Sequence, residues 1–369
     1  MAAAETYTKH THVYKTHHAT DIHLDVIVSS GNKELSRTAK PVLLWFHGGY
    51  LVTGSRNAIP GWLLHYALSH SWTVVSADYR VLPESTALAT REDVIAAYEW
   101  VAGGSLSRLH PGCNADLDQI ILGGASAGGW CALVTALHFS TRPSDHDQQT
   151  DERTLPPRPR ALWLLYPWID LGSSKWAQSV TLPSAAPVDP ATRQSLLAAI
   201  PRQIARGETS VGEDFPASEA ELRTRKRLPL LYAMLEGGAF LDYLTGVSGF
   251  SERVVQVGLD RAVDGDSRLR ALFPLSWGSF TSAFPATCLV HGTADREVPC
   301  GESERLVAKL RRRGLEVQYF PVQGADHVFD LELPWSLQDA GEGHQPSATL
   351  VRALRALQGF LKEVNGVDR

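Results

Sequence analysis

Five short apolar runs constrain this chain more than any other feature: "PVLLWFHGG" from residue 41, "WTVVSADYR" from 72, "DQIILGG" from 118, "RALWLLYP" from 160 and "ATCLVHG" from 286. None alternates apolar with polar residues, and all are rich in β-branched or aromatic side chains. That is the pattern of strands covered on both faces. Helical stretches lie between them, notably Arg91 to Val101, Ala127 to Phe139 and Glu302 to Arg313. Strand, helix, strand, repeated, predicts an α/β fold with a mostly parallel central sheet and helices on both sides. Near the N-terminus "THVYKT" and "DIHLDVIVSS" do alternate, and predict an antiparallel hairpin of two half-buried strands. A strand near "LEVQYFPV" and a helix from Ala348 to Val364 close the pattern. The 369 residues, 44% of them hydrophobic, suffice for one large domain with insertions or for two ordinary ones.

Two segments interrupt the alternation. Residues 142–160, "RPSDHDQQTDERTLPPRPR", are polar and proline-rich and are expected to form a mobile surface loop. Residues 171–285 are too long for a simple connection. They hold helix-like stretches ("QSLLAAIPRQIA", "LPLLYAMLEGGAFLDYLTG") and aromatics such as Trp176, Tyr232, Phe240 and Trp277. We expect a mainly helical cap inserted into a core made of 1–170 and 286–369, because so much apolar surface must cover something. The plainer alternative is a surface excursion with no part in chemistry.

The run "LGGASAGGW" sets Ser126 among four glycines directly after an apolar strand and before a helix-forming stretch. Gly124-Ala125-Ser126-Ala127-Gly128 fits G-x-S-x-G, and the strand–turn–helix context fits a nucleophile elbow. A serine on so sharp a turn leaves no room for side chains two positions away on either side. A nucleophilic serine also needs a base, and the base an orienting acid, in the chain order Ser, Asp or Glu, His. His327, in "VQGADHVFD", follows a strand and a small-residue turn and is the expected base. His291 ends a strand and reads as a packing residue, and His344 lies in a loose polar loop. Asp295, just beyond a strand end in "HGTADREVP", is the favoured acid, with Glu297, Asp326 and Asp330 as competitors. The glycine turn in "FHGGYLVTGS" offers backbone donors for a developing oxyanion. Expected there are the N–H groups of Gly49 and Tyr50 with that of Ala127, Gly48 giving flexibility and His47 pinning the loop.

A net charge of −5 gives no electrostatic reason to expect nucleic acid or an anionic membrane as a partner. Lys309 to Arg313 before Gly314 reads as a helix C-terminus, and Arg223 to Arg227, "RTRKR", as a solvated helical face. Cys113, Cys131, Cys288 and Cys300 show no CxxC pair and no metal spacing, which suits a reducing compartment. With no signal-like or bilayer-length apolar stretch, the expected location is the cytoplasm.

Together "HGGY", "DYRVLPES", "GGASAGG", "YPWIDL", "HGTADREVP" and "GADHVFD" resemble the α/β-hydrolase superfamily, in its hormone-sensitive-lipase-like esterase branch, from about residue 20 to 365. The resemblance implies an α/β-hydrolase fold and carboxylic-ester hydrolysis under a cap, with no metal and no organic cofactor. It also implies nucleophile Ser126, acid Asp295, base His327 and an oxyanion hole at Gly48, Gly49, Tyr50 and Ala127, with Asp78 and Arg80 as scaffold behind the oxyanion loop. Two positions depart from the family pattern. Tyr50 stands for its third glycine, as in formamidases and some feruloyl-type esterases, and Ala125 stands for the acid before the serine. The expected partner is a small-molecule ester with a hydrophobic or aromatic group; nothing specifies the oligomeric state. The alternative reading, a specialised-metabolite biosynthetic hydrolase or an acyl-transfer or cyclisation enzyme acting on a thioester or formamide, would use the same residues. A non-catalytic small-molecule receptor is the alternative of another class, and the presence of His327 argues against it.

Overall fold

The computed structural model of the chain describes residues 7–30, 39–141, 156–183, 188–215, 221, 226–341 and 343–362. Eight strands form one sheet: β1 Tyr7–His17, β2 Thr20–Ser29, β3 Lys40–Phe46, β4 Thr73–Ala77, β5 Ala115–Ala125, β6 Ala161–Leu165, β7 Ala286–Gly292 and β8 Val317–Val322. Their spatial order is β1-β2-β4-β3-β5-β6-β7-β8. β1 runs antiparallel to β2 and β2 to β4, and every later pair is parallel. This is the α/β-hydrolase fold.

Successive side chains of a strand point to opposite faces, so a strand covered twice must be apolar throughout. In β3, Val42, Leu44 and Phe46 enter one core while Leu43 and Trp45 enter the other. The first core is closed by α2 (Ala87–Ala102), α3 (Ala127–Ser140) and α6 (Gly301–Arg312), the second by α1 (Gly61–Ser69) and α7 (Gln345–Lys362). The sheet ends differently at β1. We expected both strands of the hairpin to be half-buried, but β1 is the outer strand and is mostly exposed, whereas Ile22, Leu24 and Val26 of β2 are fully buried. α2 starts four residues before the predicted Arg91, since nothing in Ala87-Leu88-Ala89-Thr90 opposes a helix once Thr86 has set an extended entry.

The chain between β6 and β7 carries α4 (Pro190–Ala205), α5 (Arg227–Glu236) and several short helices from Phe240 to Trp277. The Asp189 carboxylate caps α4 by accepting from the N–H groups of Ala191 and Thr192, and Pro190 takes the first turn, where a missing N–H costs nothing. The basic run does not behave as expected. Residues 223–225 lie outside the described residues, and Arg227 is buried rather than solvated, 7% exposed. Its guanidinium donates to both Glu84 carboxylate oxygens at 2.7 and 2.9 Å, to the Val52 carbonyl at 2.8 Å and to the Leu82 carbonyl. Burial is tolerated because the charge is paired and its donors are used, which composition cannot show. The second basic run does end a helix, with Arg311 and Arg312 in the last turn of α6 and Gly314 at φ 67° beyond it. Of the polar stretch 142–160, residues 142–155 lie outside the described residues.

Candidate active site

β5 delivers Ser126 to the carboxyl edge of the sheet, where open α/β sheets keep their functional groups. The serine has φ 52° and ψ −121°, a backbone conformation that side-chain-bearing residues rarely adopt. The turn into α3 is so tight that a Cβ on Gly124 would stand 2.1 Å from the Gly128 carbonyl oxygen, and one on Gly128 2.0 Å from that of Phe46. The glycines are therefore dictated by backbone meeting backbone. Three main-chain bonds hold the bend: Ser126 N–H donates to Leu165, and its carbonyl accepts from Gly129 and Trp168.

His327 arrives on the turn after β8. Its Nε2 lies 3.2 Å from Ser126 Oγ and its Nδ1 2.7 Å from Asp295 Oδ2. With the Nδ1 proton donated to the carboxylate, Nε2 presents its lone pair to the serine hydroxyl. Asp295 sits three residues beyond β7. Its Oδ1 accepts from the N–H groups of Glu297 and Val298, at 3.0 and 2.8 Å. Burial alone would raise this carboxyl, but hydrogen bonds from His291 and His327 hold it well below the usual carboxylate range.

His291 is more than the packing residue expected of it. Fully buried, it directs Nε2 at Asp295 Oδ2 (3.1 Å) and the Val298 carbonyl (2.9 Å), while Nδ1 meets Ser303 Oγ at 2.8 Å. No sequence signal distinguished this, since a histidine at a strand end reads the same whether it packs or bonds. The competing acids have other partners. Asp326 pairs with Arg296, Asp330 accepts from Trp62 Nε1 at 2.9 Å and Tyr166 Oη at 2.6 Å, and Glu297 accepts from Tyr50 Oη at 3.2 Å. His344 bonds Ser347 at the start of α7, away from Ser126.

The turn after β3 lies against the serine: a Cβ on Gly48 would be 3.2 Å from Ser126 Cβ. Gly49, Tyr50 and Leu51 take φ of 109°, 55° and 60° in succession, and the Gly49 carbonyl accepts from Val52 and Thr53 at 2.9 and 3.0 Å, so that carbonyl faces away. His47 pins the loop from behind. Its ring stacks on Tyr79 at 4.2 Å, its Nδ1 meets the Gly48 carbonyl at 2.8 Å, and burial lowers its basicity so that it stays neutral. Behind it Asp78 holds the Arg56 N–H at 2.7 Å and Arg80 is bound by Asp93. Ala127 opens α3, so its N–H belongs to the first helical turn, where no intrahelical acceptor exists.

A cavity of about 410 Å³ opens on Ser126 and His327. Gly48, Gly49 and Tyr50 form part of its wall, and Leu182, Phe215, Leu228, Leu231 and Tyr232 from the segment between β6 and β7 form another. Among the described residues no three His, Cys, Asp or Glu side chains are grouped to hold a metal ion, and no helix is long and apolar enough to cross a membrane.

A family model for the alpha/beta hydrolase fold matches residues 43–216, and one for the prolyl oligopeptidase family matches 264–365. The non-reducing polyketide synthase Preu6 of Preussia isomera is 26% identical over 342 residues, which cover 90% of this chain and 14% of the synthase. The probable carboxylesterase M8 of a Phoma species is 37% identical over 111 residues, 28% of this chain and 35% of the relative. The chain thus spans between a seventh and about a third of the length of these curated relatives. Among solved structures, carboxyl esterase 2 of the fungus Tuber melanosporum superposes with a TM-score of 0.55 at 17% identity, covering 97% of this chain and 88% of that one. At that identity the likeness speaks for the fold alone.

Proposed function

We propose that the chain is a serine hydrolase of the α/β-hydrolase superfamily that cleaves carboxylic esters through an acyl-enzyme. Ser126 is the nucleophile, His327 the general base and then acid, and Asp295 the carboxylate that fixes the imidazole tautomer and stabilises the imidazolium. The carrying observation is the unbroken chain Ser126 Oγ–His327–Asp295, at 3.2 and 2.7 Å, at the mouth of an apolar cavity. The N–H groups of Gly49, Tyr50 and Ala127, with Gly48 leaving room, are the donors we assign to the oxyanion. In the reaction Ser126 Oγ bonds to the carbonyl carbon as its proton passes to His327. The alkoxide leaves with that proton, and water repeats the attack on the acyl-enzyme. Residues 171–285 act as the cap over a core of 1–170 and 286–369, a reading supported by the five side chains this segment lends to the cavity wall. They are apolar or aromatic, which suits a hydrophobic or aryl group.

A second reading is favoured by one observation: the relatives that align over most of this chain are named polyketide synthases. The same residues would then accept a polyketide acyl group from a thioester and pass it to water or to another hydroxyl.

A fluorophosphonate probe is expected to label the wild-type chain and to fail on Ser126→Ala. Nitrophenyl esters of increasing chain length, run beside the matching thioesters, then separate the two readings by kcat/KM. Equal labelling of Ser126→Ala would refute both.

A further inference from the structure

The turn after β8 is built around a side chain from a different strand end. Tyr166 directly follows β6, is 1% exposed, and takes φ 34°, a left-handed conformation that a bulky residue rarely adopts. Its main chain belongs to the serine elbow. Leu165 before it accepts from Ser126 N–H, Trp168 after it donates to the Ser126 carbonyl, and Tyr166 N–H donates to Val290 of β7 at 2.7 Å. Its side chain is held by the turn that carries His327. The ring meets the His327 imidazole edge-on, with centroids 4.9 Å apart, and the Phe329 ring edge-on at 5.7 Å. Its hydroxyl donates to Asp330 Oδ1 at 2.6 Å, while Trp62 Nε1 of α1 donates to Oδ2 at 2.9 Å. Three of the four residues from 327 to 330 thus clasp one side chain. Burial first, and then the Asp330 charge, push the Tyr166 phenol up, so it stays a protonated donor.

We propose that Tyr166 is a positioning residue: clasped by Asp330, it fixes how far the His327 imidazole stands from Ser126. The inference rests on the serine-hydrolase reading for what that distance achieves. Leu165 and Trp168 bracket Tyr166 and hold the Ser126 N–H and carbonyl, so the tyrosine is anchored to the elbow. Asp330, three residues beyond His327, ties the base turn to the same tyrosine. Backbone strain persists only where the surroundings over-determine it, and the hydroxyl–carboxylate bond is one of the contacts that do so here. Proton transfer from Ser126 needs hydrogen-bond reach, and a misplacement of about 1 Å costs on the order of 10²-fold. A slackened clasp therefore shows in the chemical step. Trp62 supplies the contrast, since it serves the other oxygen of the same carboxylate while its ring meets Trp163.

Two variants each strip Asp330 of one donor. Tyr166→Phe keeps the ring and loses the hydroxyl, and Trp62→Phe loses the indole N–H. On nitrophenyl acetate, Tyr166→Phe should lower kcat about tenfold with KM within about twofold. Trp62→Phe should leave kcat within about twofold even if its Tm falls as far. A second readout follows the imidazole without turnover. The His327 Nδ1 proton donated to Asp295 is the protected downfield 1H NMR signal that His327→Gln lacks. Its exchange with water should quicken about tenfold in Tyr166→Phe and stay within about twofold of wild type in Trp62→Phe. Asp330→Asn decides if Tyr166→Phe does not fold. Trp62 can only donate and takes the amide oxygen, which turns the NH2 group to the tyrosine hydroxyl, so kcat and exchange should move as in Tyr166→Phe. If Trp62→Phe does not fold, the kcat-against-KM split and the exchange rate decide. A kcat fall below about threefold, a change carried by KM, or an equal fall in Trp62→Phe overturns the proposal. If wild-type protein resists the fluorophosphonate and hydrolyses no ester, the hydrolase reading falls, and proton exchange alone decides whether Tyr166 holds His327.

Discussion

At the scale of single residues the site works through opposed demands on one carboxylate. Asp295 must stay charged although buried, and it does so because four donors converge on its two oxygens. Asp295→Asn keeps the shape but lets the amide hydrogen-bond the wrong histidine tautomer, so kcat on esters should fall roughly 10³–10⁴-fold. Tm at neutral pH should fall as well, because the amide loses the charge that these donors stabilise and turns an N–H towards one of them. A loss of kcat below tenfold would mean that another group orients His327. The glycines make the complementary case. Gly128→Ala drives a methyl into the Phe46 carbonyl, so soluble yield and probe labelling should both collapse. The hydrogen-bonded set Ser126, His327 and Asp295, the proposed triad, was legible in the sequence because a serine on a strained strand–helix turn restricts its candidate partners to later strand ends. His291 was not, since its task is set by where residues 295, 298 and 303 fold back, and no spacing records that.

Elements follow the same logic with different visibility. The parallel strands announced themselves, because burial on two faces leaves no polar residue to blur the run. β1 did not reveal its exposure: an alternating strand looks alike whether its apolar side meets a helix or stands at an edge. α6 shows how a helix fixes a neighbouring loop. Glu302 in its first turn accepts from Ile169 and Asp170 N–H, both at 2.8 Å, just beyond β6, and burial raises its carboxyl to about 7. The folded state therefore favours the protonated acid. The associated stability is complete below the ordinary value of 4.5 and is lost as pH climbs through about 7. The loss is on the order of 3 kcal/mol for a shift of this size. Glu302→Gln, which cannot titrate, should gain on wild type between pH 5 and 8 in urea unfolding; a pH-independent difference would contradict the burial argument. Elsewhere a helix has slack. Gly359 in α7 would offer an added Cβ no contact within 4 Å, so Gly359→Ala should stabilise by about 1 kcal/mol.

At the scale of the whole molecule, the long segment between β6 and β7 is tied to the sheet that carries the proposed triad by one buried side chain. The Arg227 guanidinium at the start of α5 grips Glu84 beyond β4 and also the carbonyls of Val52 and Leu82, and Val52 closes the turn that contains Gly49 and Tyr50. One side chain thus joins the proposed cap, the proposed oxyanion turn and the loop after β4. Sequence concealed this junction because its partners lie more than a hundred residues away and its neighbours in the chain are also basic. Arg227→Met leaves Glu84, itself 6% exposed at the side chain, charged and unpaired, and should cost about 3–5 kcal/mol. Replacing both residues with Met and Leu removes the stranded charge and should recover most of that stability. It would not restore the bonds to Val52 and Leu82, so kcat/KM should stay depressed in the double variant after stability has returned. If activity recovers in step with stability, the arginine is a fastener only, and the oxyanion turn holds its shape without the segment above it.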